Sequence, residues 1–306
     1  MYEVNYLSVI QNDEYITEIS YFQCDIEPKA SLLILHGMAE HKKRYYPFAE
    51  YLTEKGIDVY IYNHRGHGTD KKIRDLGFFA AENGHQLVIE DAITVSKHIK
   101  RNNRCNRFLL MGHSMGSLIA RNVIQTYDEY DGVILSGTSF PANFLTTAGL
   151  LISSILTIIK GPKHISPFLN KLIFGNKKYT DLTDRTIFDW LSRSHTSVGA
   201  YIHDPYCGFI CTSSFYRDLL KLVRNASIKK RIQKTNNNLP IFIISGDKDP
   251  VGGYGKDIKN YLSILNKLQF TNVSSKLYPD CRHELINEIN KEEVYNDILQ
   301  WIDKVI

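Results

Sequence analysis

The chain has no framework of paired cysteines. Its five cysteines, Cys24, Cys105, Cys207, Cys211 and Cys281, are odd in number and widely spaced. They form no C-x-x-C pair and no zinc-like grouping, which excludes a disulfide scaffold and points to reduced thiols in a cytoplasmic protein. There is no H-E-x-x-H, so no metal is expected. No Lys/Arg block is long enough for a nucleic-acid face, and the formal net charge is only +4; Lys229-Lys230-Arg231 reads as a solvated helix end. No stretch offers the roughly 20 apolar residues a spanning helix needs. The longest nearly uncharged run, Phe144 to Ile159, is interrupted by Ser and Thr. Met1 to Gln11 carries Glu3 and lacks both a basic start and an apolar centre, so a signal peptide is not expected and the chain reads as soluble. Internal repeats and low-complexity segments are missing too.

What remains is ordinary globular composition, 43% hydrophobic and 23% charged over 306 residues, enough for one large domain with an insertion. Asn5 to Ile10 and Glu14 to Cys24 alternate apolar and polar residues across Gln11-Asn12-Asp13, which predicts an antiparallel hairpin. The pattern then changes. Ser31 to Leu35, Ile57 to Tyr62, Phe108 to Met111, Gly132 to Ser136 and Leu239 to Ser245 are apolar runs of the kind found in parallel sheets buried on both faces. Ser275 to Tyr278 adds a further strand. Helical spacing fills the gaps at Arg44 to Lys55, Glu82 to Arg101 and Lys291 to Val305. Strands alternating with helices predict an α/β fold with a doubly wound, mostly parallel sheet. The alternation breaks between Gly137 and Asn238, so a helical cap is expected there, giving a core in two parts, 1–136 and 239–306, around an insertion at 137–238.

The chemistry centres on Gly112-His113-Ser114-Met115-Gly116, a G-x-S-x-G pentapeptide between an apolar strand and a helical pattern. That context is a nucleophile elbow and makes Ser114 the candidate nucleophile. A serine hydroxyl needs a base to take its proton and a carboxylate to orient the base. The next strand ends supply them in the order Ser, Asp, His: Gly246-Asp247-Lys248-Asp249-Pro250, then Asp280-Cys281-Arg282-His283-Glu284. The spacing from Gly246 favours Asp249 as the acid, with Asp247 the competitor as a turn or helix cap. His283 is the base. The oxyanion hole is expected from the backbone N–H of Met115 and, in the loop His36-Gly37-Met38-Ala39-Glu40-His41, from that of Met38. The other histidines, His36, His113, His64 and His67, read as structural.

Those stretches, with Arg44-Tyr45, His64-Arg65-Gly66-His67-Gly68 and Tyr278-Pro279, resemble the monoglyceride lipase and lysophospholipase branch of the α/β-hydrolase superfamily. In the cap, Phe188 to Arg193 and Asp204 to Phe209 are similar to bacterial members. The resemblance covers the whole core. It implies cofactor-free hydrolysis of an ester between a fatty acyl chain and a glycerol-like alcohol, with Glu40 and Arg44 near the pocket for the alcohol. Asn63 and Thr69-Asp70 depart from the family's usual turn, which bears on the fold more than on the chemistry. A short-chain or aryl esterase or a capped aminopeptidase would use the same triad; a binding protein that kept the fold and turned its pocket to ligand sensing is a further reading, against which the complete triad argues. The Phe144 to Ile159 helix is apolar on most of its surface. It is either buried, or packs one face while the other lines an acyl channel or touches a membrane surface transiently.

Overall fold

The structure, a computed structural model, describes residues 4–141, 143–175, 177–182 and 185–306; Glu3 lies outside them. Eight strands form one sheet: β1 (Val4–Ile10), β2 (Ile16–Phe22), β3 (Ala30–Leu35), β4 (Ile57–Tyr62), β5 (Phe108–His113), β6 (Gly132–Ser136), β7 (Ile241–Gly246) and β8 (Val273–Tyr278). Their order is β1-β2-β4-β3-β5-β6-β7-β8. β2 runs antiparallel to β1 and β4, and every later pairing is parallel. This is the doubly wound, mostly parallel sheet the patterning predicts, and it agrees with the α/β-hydrolase fold that the resemblance implies.

Strands β3 to β7 are buried along their whole length. Because successive side chains point to opposite faces, each apolar strand feeds two cores. Leu33 and Leu35 join one apolar cluster; Leu32 and Ile34 join the other. The first cluster is closed by α2 (Gly84–Asn102), α3 (Met115–Val123), α8 (Ser213–Ser227) and α10 (Lys256–Lys267), the second by α1 (Tyr46–Glu54) and α11 (Lys291–Val305). The one charge inside a central strand, Asp58, is matched by Arg104 at 2.9 Å, the Tyr21 hydroxyl at 2.7 Å and the Cys24 N–H at 2.9 Å. A buried carboxylate requires that much compensation.

Between β6 and β7 the chain forms α4 (Asn143–Lys160), α5 (Pro167–Phe174), α6 (Lys177–Thr180), α7 (His195–His203), α8 and α9 (Lys229–Ile232). α8 packs on α2 and α3, and side chains of α3 reach its carbonyls: Arg121 donates to Ala226 O at 2.7 Å and Asn122 to Leu222 O at 3.1 Å. By its contacts α8 covers the sheet and forms the floor on which α4 lies.

α4 is amphipathic with the opposite sense to a core helix. Thr146, Ser153 and Thr157 are buried against α8, with Gly149 close to Leu220. Phe144, Leu145, Leu151, Ile155 and Ile158 face out, Ile158 with 83% of its surface exposed. The buried hydroxyls are satisfied within the helix, Ser153 by Leu150 O at 3.0 Å and Thr157 by Ser153 O at 2.7 Å, so small polar residues permit close helix approach without orphaned groups. No α4 residue lines the catalytic-end cavity described below. The reading of this helix as core or channel wall is therefore corrected: its apolar face is surface. Replacing Leu151 and Ile155 by Ser should leave stability within about 0.5 kcal/mol, whereas Ser153→Leu should cost roughly 1–3 kcal/mol by overpacking; urea denaturation reads both.

Candidate active site

At the end of β5 the chain enters α3 through Ser114, whose backbone sits at φ 52°, ψ −116°. A non-glycine residue there carries strain of order 1–3 kcal/mol, stable only if the surroundings enforce it. They do. A Cβ on Gly112 would fall 2.3 Å from Gly116 O, and one on Gly116 would fall 2.0 Å from Leu35 O, so the two glycines let α3 close onto β5 and β3. The Ser114 N–H donates to Ser136 O at 2.9 Å, and Ser114 opens onto a cavity of about 410 Å³.

His283 follows β8 and Asp249 follows β7, both buried. His283 Nδ1 lies 2.9 Å from Asp249 Oδ2. The carboxylate also accepts the Val251 N–H at 2.8 Å and the Ser245 hydroxyl at 3.3 Å. Asp247 is used otherwise: its N–H donates to Tyr278 O at 3.0 Å, tying β7 to β8. Burial disfavours the His283 imidazolium, but Asp249, and behind it Glu284 and Glu40, outweigh that and hold its pKa above the ordinary value. With Nδ1 facing the carboxylate, Nε2 is the nitrogen left for proton transfer.

The loop after β3 passes close to the serine; a Cβ on Gly37 would stand 3.3 Å from Ser114 Cβ. Gly37 and Met38 both line the cavity, and Met115, first residue of α3, has an N–H without an intrahelical acceptor by position. Three histidines frame this loop. His36 Nδ1 meets Gly37 O at 2.7 Å while its Nε2 accepts the His64 N–H at 3.0 Å. His67 Nδ1 meets Arg65 O at 2.8 Å while its Nε2 accepts the Ala39 N–H at 3.2 Å. Both therefore need the neutral Nδ1–H tautomer, and burial supports it, lowering His67 to about 4 and His36 well below its ordinary range. His113, its ring 4.7 Å from His283, is likewise lowered to about 4 by burial and by His283.

Glu40 and Glu284 line the polar end of the cavity. Arg44 stands behind them in an outer cleft shared with His41 and Asp204. Its guanidinium donates to Glu40 Oε2 and to both oxygens of Glu284, each at 2.6 Å. Much of the remaining wall is apolar or aromatic, with Phe174, Ile187, Phe188 and Trp190 prominent, and Asn170 and Lys171 add polar groups. Glu284, Trp190 and Tyr201 were not singled out from the sequence. For Glu284 the only local signal is its place after His283; its partner Arg44 is 240 positions away. A His41 nitrogen, an Asp204 oxygen and Cys207 Sγ lie within 4.8 Å of one another. His41 and Asp204 already pair at 2.8 Å, and burial pushes the Cys207 thiol far up, so this trio ties the loop to the cap.

A family model described as serine aminopeptidase, S33, matches residues 26–290. The chain belongs to this family of α/β-hydrolases. The hydrolase is similar to a monoacylglycerol lipase of Mycolicibacterium smegmatis, 28% identical over 91% of this chain and 89% of that protein. It is similar to the phospholipase YtpA of Bacillus subtilis, 23% identical over 91% of this chain and 97% of that one. A carboxyl esterase from Bacillus coagulans, solved in complex with glycerol, superposes with a TM-score of 0.90 at 24% identity, covering 100% of this chain and 99% of that chain. The enzyme is a monoacylglycerol lipase-like hydrolase of the esterase and lipase group.

In an NMR titration the His283 imidazole should titrate above about 6.5, the ordinary histidine value. Asp249→Asn should lower that midpoint; Asp247→Asn should leave it in place.

Proposed function

We propose that the enzyme hydrolyses fatty-acyl esters of glycerol-type alcohols, monoacylglycerol or lysophospholipid, through a covalent acyl-enzyme and without a cofactor. Ser114 Oγ attacks the ester carbonyl carbon as His283 Nε2 takes its proton, and Asp249 stabilises the imidazolium. The tetrahedral oxyanion receives the Met38 and Met115 N–H groups. The ester C–O bond breaks, and His283 returns the proton to the departing alcohol. Water then attacks the acyl-enzyme, His283 takes its proton and passes it to Ser114, and the fatty acid leaves.

The observation that supports this reading is the mixed lining of the cavity. Ser114 and His283 share it with apolar side chains, Phe174, Ile187, Phe188 and Trp190 among them, suited to an acyl chain, and with the carboxylates Glu40 and Glu284, suited to hydroxyls of the alcohol. The M. smegmatis relative, named a monoacylglycerol lipase, points the same way. Burying each methylene is worth up to about 0.8 kcal/mol, so medium and long chains should exceed acetate in kcat/KM. A panel of p-nitrophenyl esters from acetate to palmitate, with monoacylglycerol, lysophosphatidylcholine and an amino-acid anilide, tests this. Preference for acetate or aryl esters makes the enzyme a short-chain esterase; preference for the anilide makes it an aminopeptidase. Ser114→Ala should lower kcat by about 10⁶, as in a comparable triad, and retained turnover would instead leave a ligand-binding protein. Asp249→Asn should lower kcat by about 10⁴. Since the base must be neutral, the rate should rise with pH through the raised His283 pKa.

The segment 137–238 acts as the cap on this reading, and the outer face of α4 rests transiently on a lipid surface. The exposed apolar side chains Phe168 and Leu172 lie on α5, whose Phe174 lines the cavity, and exposed Lys160 and Lys163 stand at the end of α4. No described helix is long and apolar enough to cross a membrane, so contact would be shallow. Binding to anionic liposomes by co-sedimentation should fall at least tenfold in Leu151→Ser/Ile155→Ser while soluble-ester hydrolysis persists; equal binding would remove the lipid contact.

A further inference from the structure

We propose that Arg44 is a positioning residue, whose guanidinium holds the oxyanion loop, through Glu40, and the His283 loop, through Glu284, in one geometry. The inference rests on the acyl-enzyme reading above and assigns Arg44 a role other than grasping the substrate alcohol.

The connections run outward from one planar group. Toward the oxyanion loop, Arg44 Nη1 holds Glu40 Oε2, while Glu40 Oε1 accepts the Gly37 N–H at 2.6 Å and the Tyr45 hydroxyl at 2.8 Å. Gly37 immediately precedes Met38. Toward the base, the fork holds both oxygens of Glu284, the residue after His283, whose own N–H donates to Leu191 O at 2.7 Å. A third side is the cap: the guanidinium lies over the Tyr201 ring at 4.8 Å, and the Tyr201 hydroxyl donates to Ala39 O at 3.0 Å. Ala39 has φ 53°, a conformation that must be held from outside. Arg44, Glu40 and Glu284 are all nearly buried. Burial opposes all these charges; the guanidinium still holds the Glu40 carboxyl below its ordinary value, and the two carboxylates hold Arg44 well above its own. Its fork and the face against Tyr201 are thereby committed to the protein, and among the described lining residues Glu40, Glu284 and Tyr201 reach the cavity while Arg44 does not. A lysine could supply the charge but not the planar, bidentate grip on two loops.

The groups facing His283 are Asp249, Glu284, Glu40 and the neutral His113, with the Trp190 ring packed alongside. Removing one of the three carboxylates destabilises the imidazolium, so Glu284→Gln should move the acid limb of kcat/KM to lower pH.

The test uses p-nitrophenyl butyrate, whose leaving group carries no glycerol hydroxyls. Arg44→Ala should lower kcat by about 10²-fold, the order expected for a misplaced reacting group, with KM within about threefold. Methylguanidine, entering through the outer cleft, should restore activity saturably by tenfold or more. Arg44→Lys should keep KM and lose more than tenfold in kcat, which decides the matter if Arg44→Ala does not fold. Wild-type kcat in Arg44→Lys, or a defect confined to KM for monoacylglycerol, overturns the proposal, as does a loss in Arg44→Ala that methylguanidine cannot restore in folded protein. Ser114→Ala measured in parallel separates the two readings: turnover there removes the acyl-enzyme itself, whatever Arg44 does.

Discussion

The site depends on the tight approach of α3 to the carbonyl ends of β3 and β5, where Gly116 leaves no room for a side chain against Leu35 O. That contact forces the Ser114 backbone to φ 52° and lifts the residue out of the sheet into the cavity. The strain is carried by the rigidity around it. Five fully buried strands and two apolar layers over-determine the turn, so a locally unfavourable conformation is the only one compatible with the packed sheet. Asp249 and His283 sit on loops leaving the same edge, which is why residues far apart in sequence meet at hydrogen-bond distance.

Around that edge, two electrostatic regimes lie side by side. His36, His67 and His113 are kept neutral by burial, and His36 and His67 serve as fixed donors and acceptors for the loop backbone. His283, equally buried, is pushed the other way by carboxylates. The difference lies in the neighbours, since desolvation acts on all four alike. A buried guanidinium between Glu40 and Glu284 is costly to desolvate and contributes little net stability on general grounds. Its worth lies in geometry, as a planar group that joins two loops and the cap.

The insertion follows a different logic. α8 completes the layer over the sheet, and α4 lies on it by a stripe of Thr, Gly and Ser with Leu156, leaving Leu145, Leu151, Ile155 and Ile158 outward. That outward apolar face is the surface on which the proposed lipid contact rests.

Apolar runs placed the five central strands to within a few residues, because strands buried on both faces have no polar option, and apolar/polar alternation placed the opening hairpin. The same patterning put Ser114, Asp249 and His283 just past the ends of β5, β7 and β8, and the G-x-S-x-G spacing implied the turn that the glycine contacts explain. Sequence alone could not orient α4. Its composition says only that most of its surface is apolar, and whether that surface is buried depends on what α8 offers as a partner. Nor could it reveal Glu284, Trp190 or Tyr201, whose roles come from residues brought close by the closing of the sheet and the folding-over of the cap. Periodicity and turn chemistry are local and survive in one dimension. Ion clusters and helix faces are settled by tertiary contacts, because their energy depends on which distant groups share the same small volume of low dielectric.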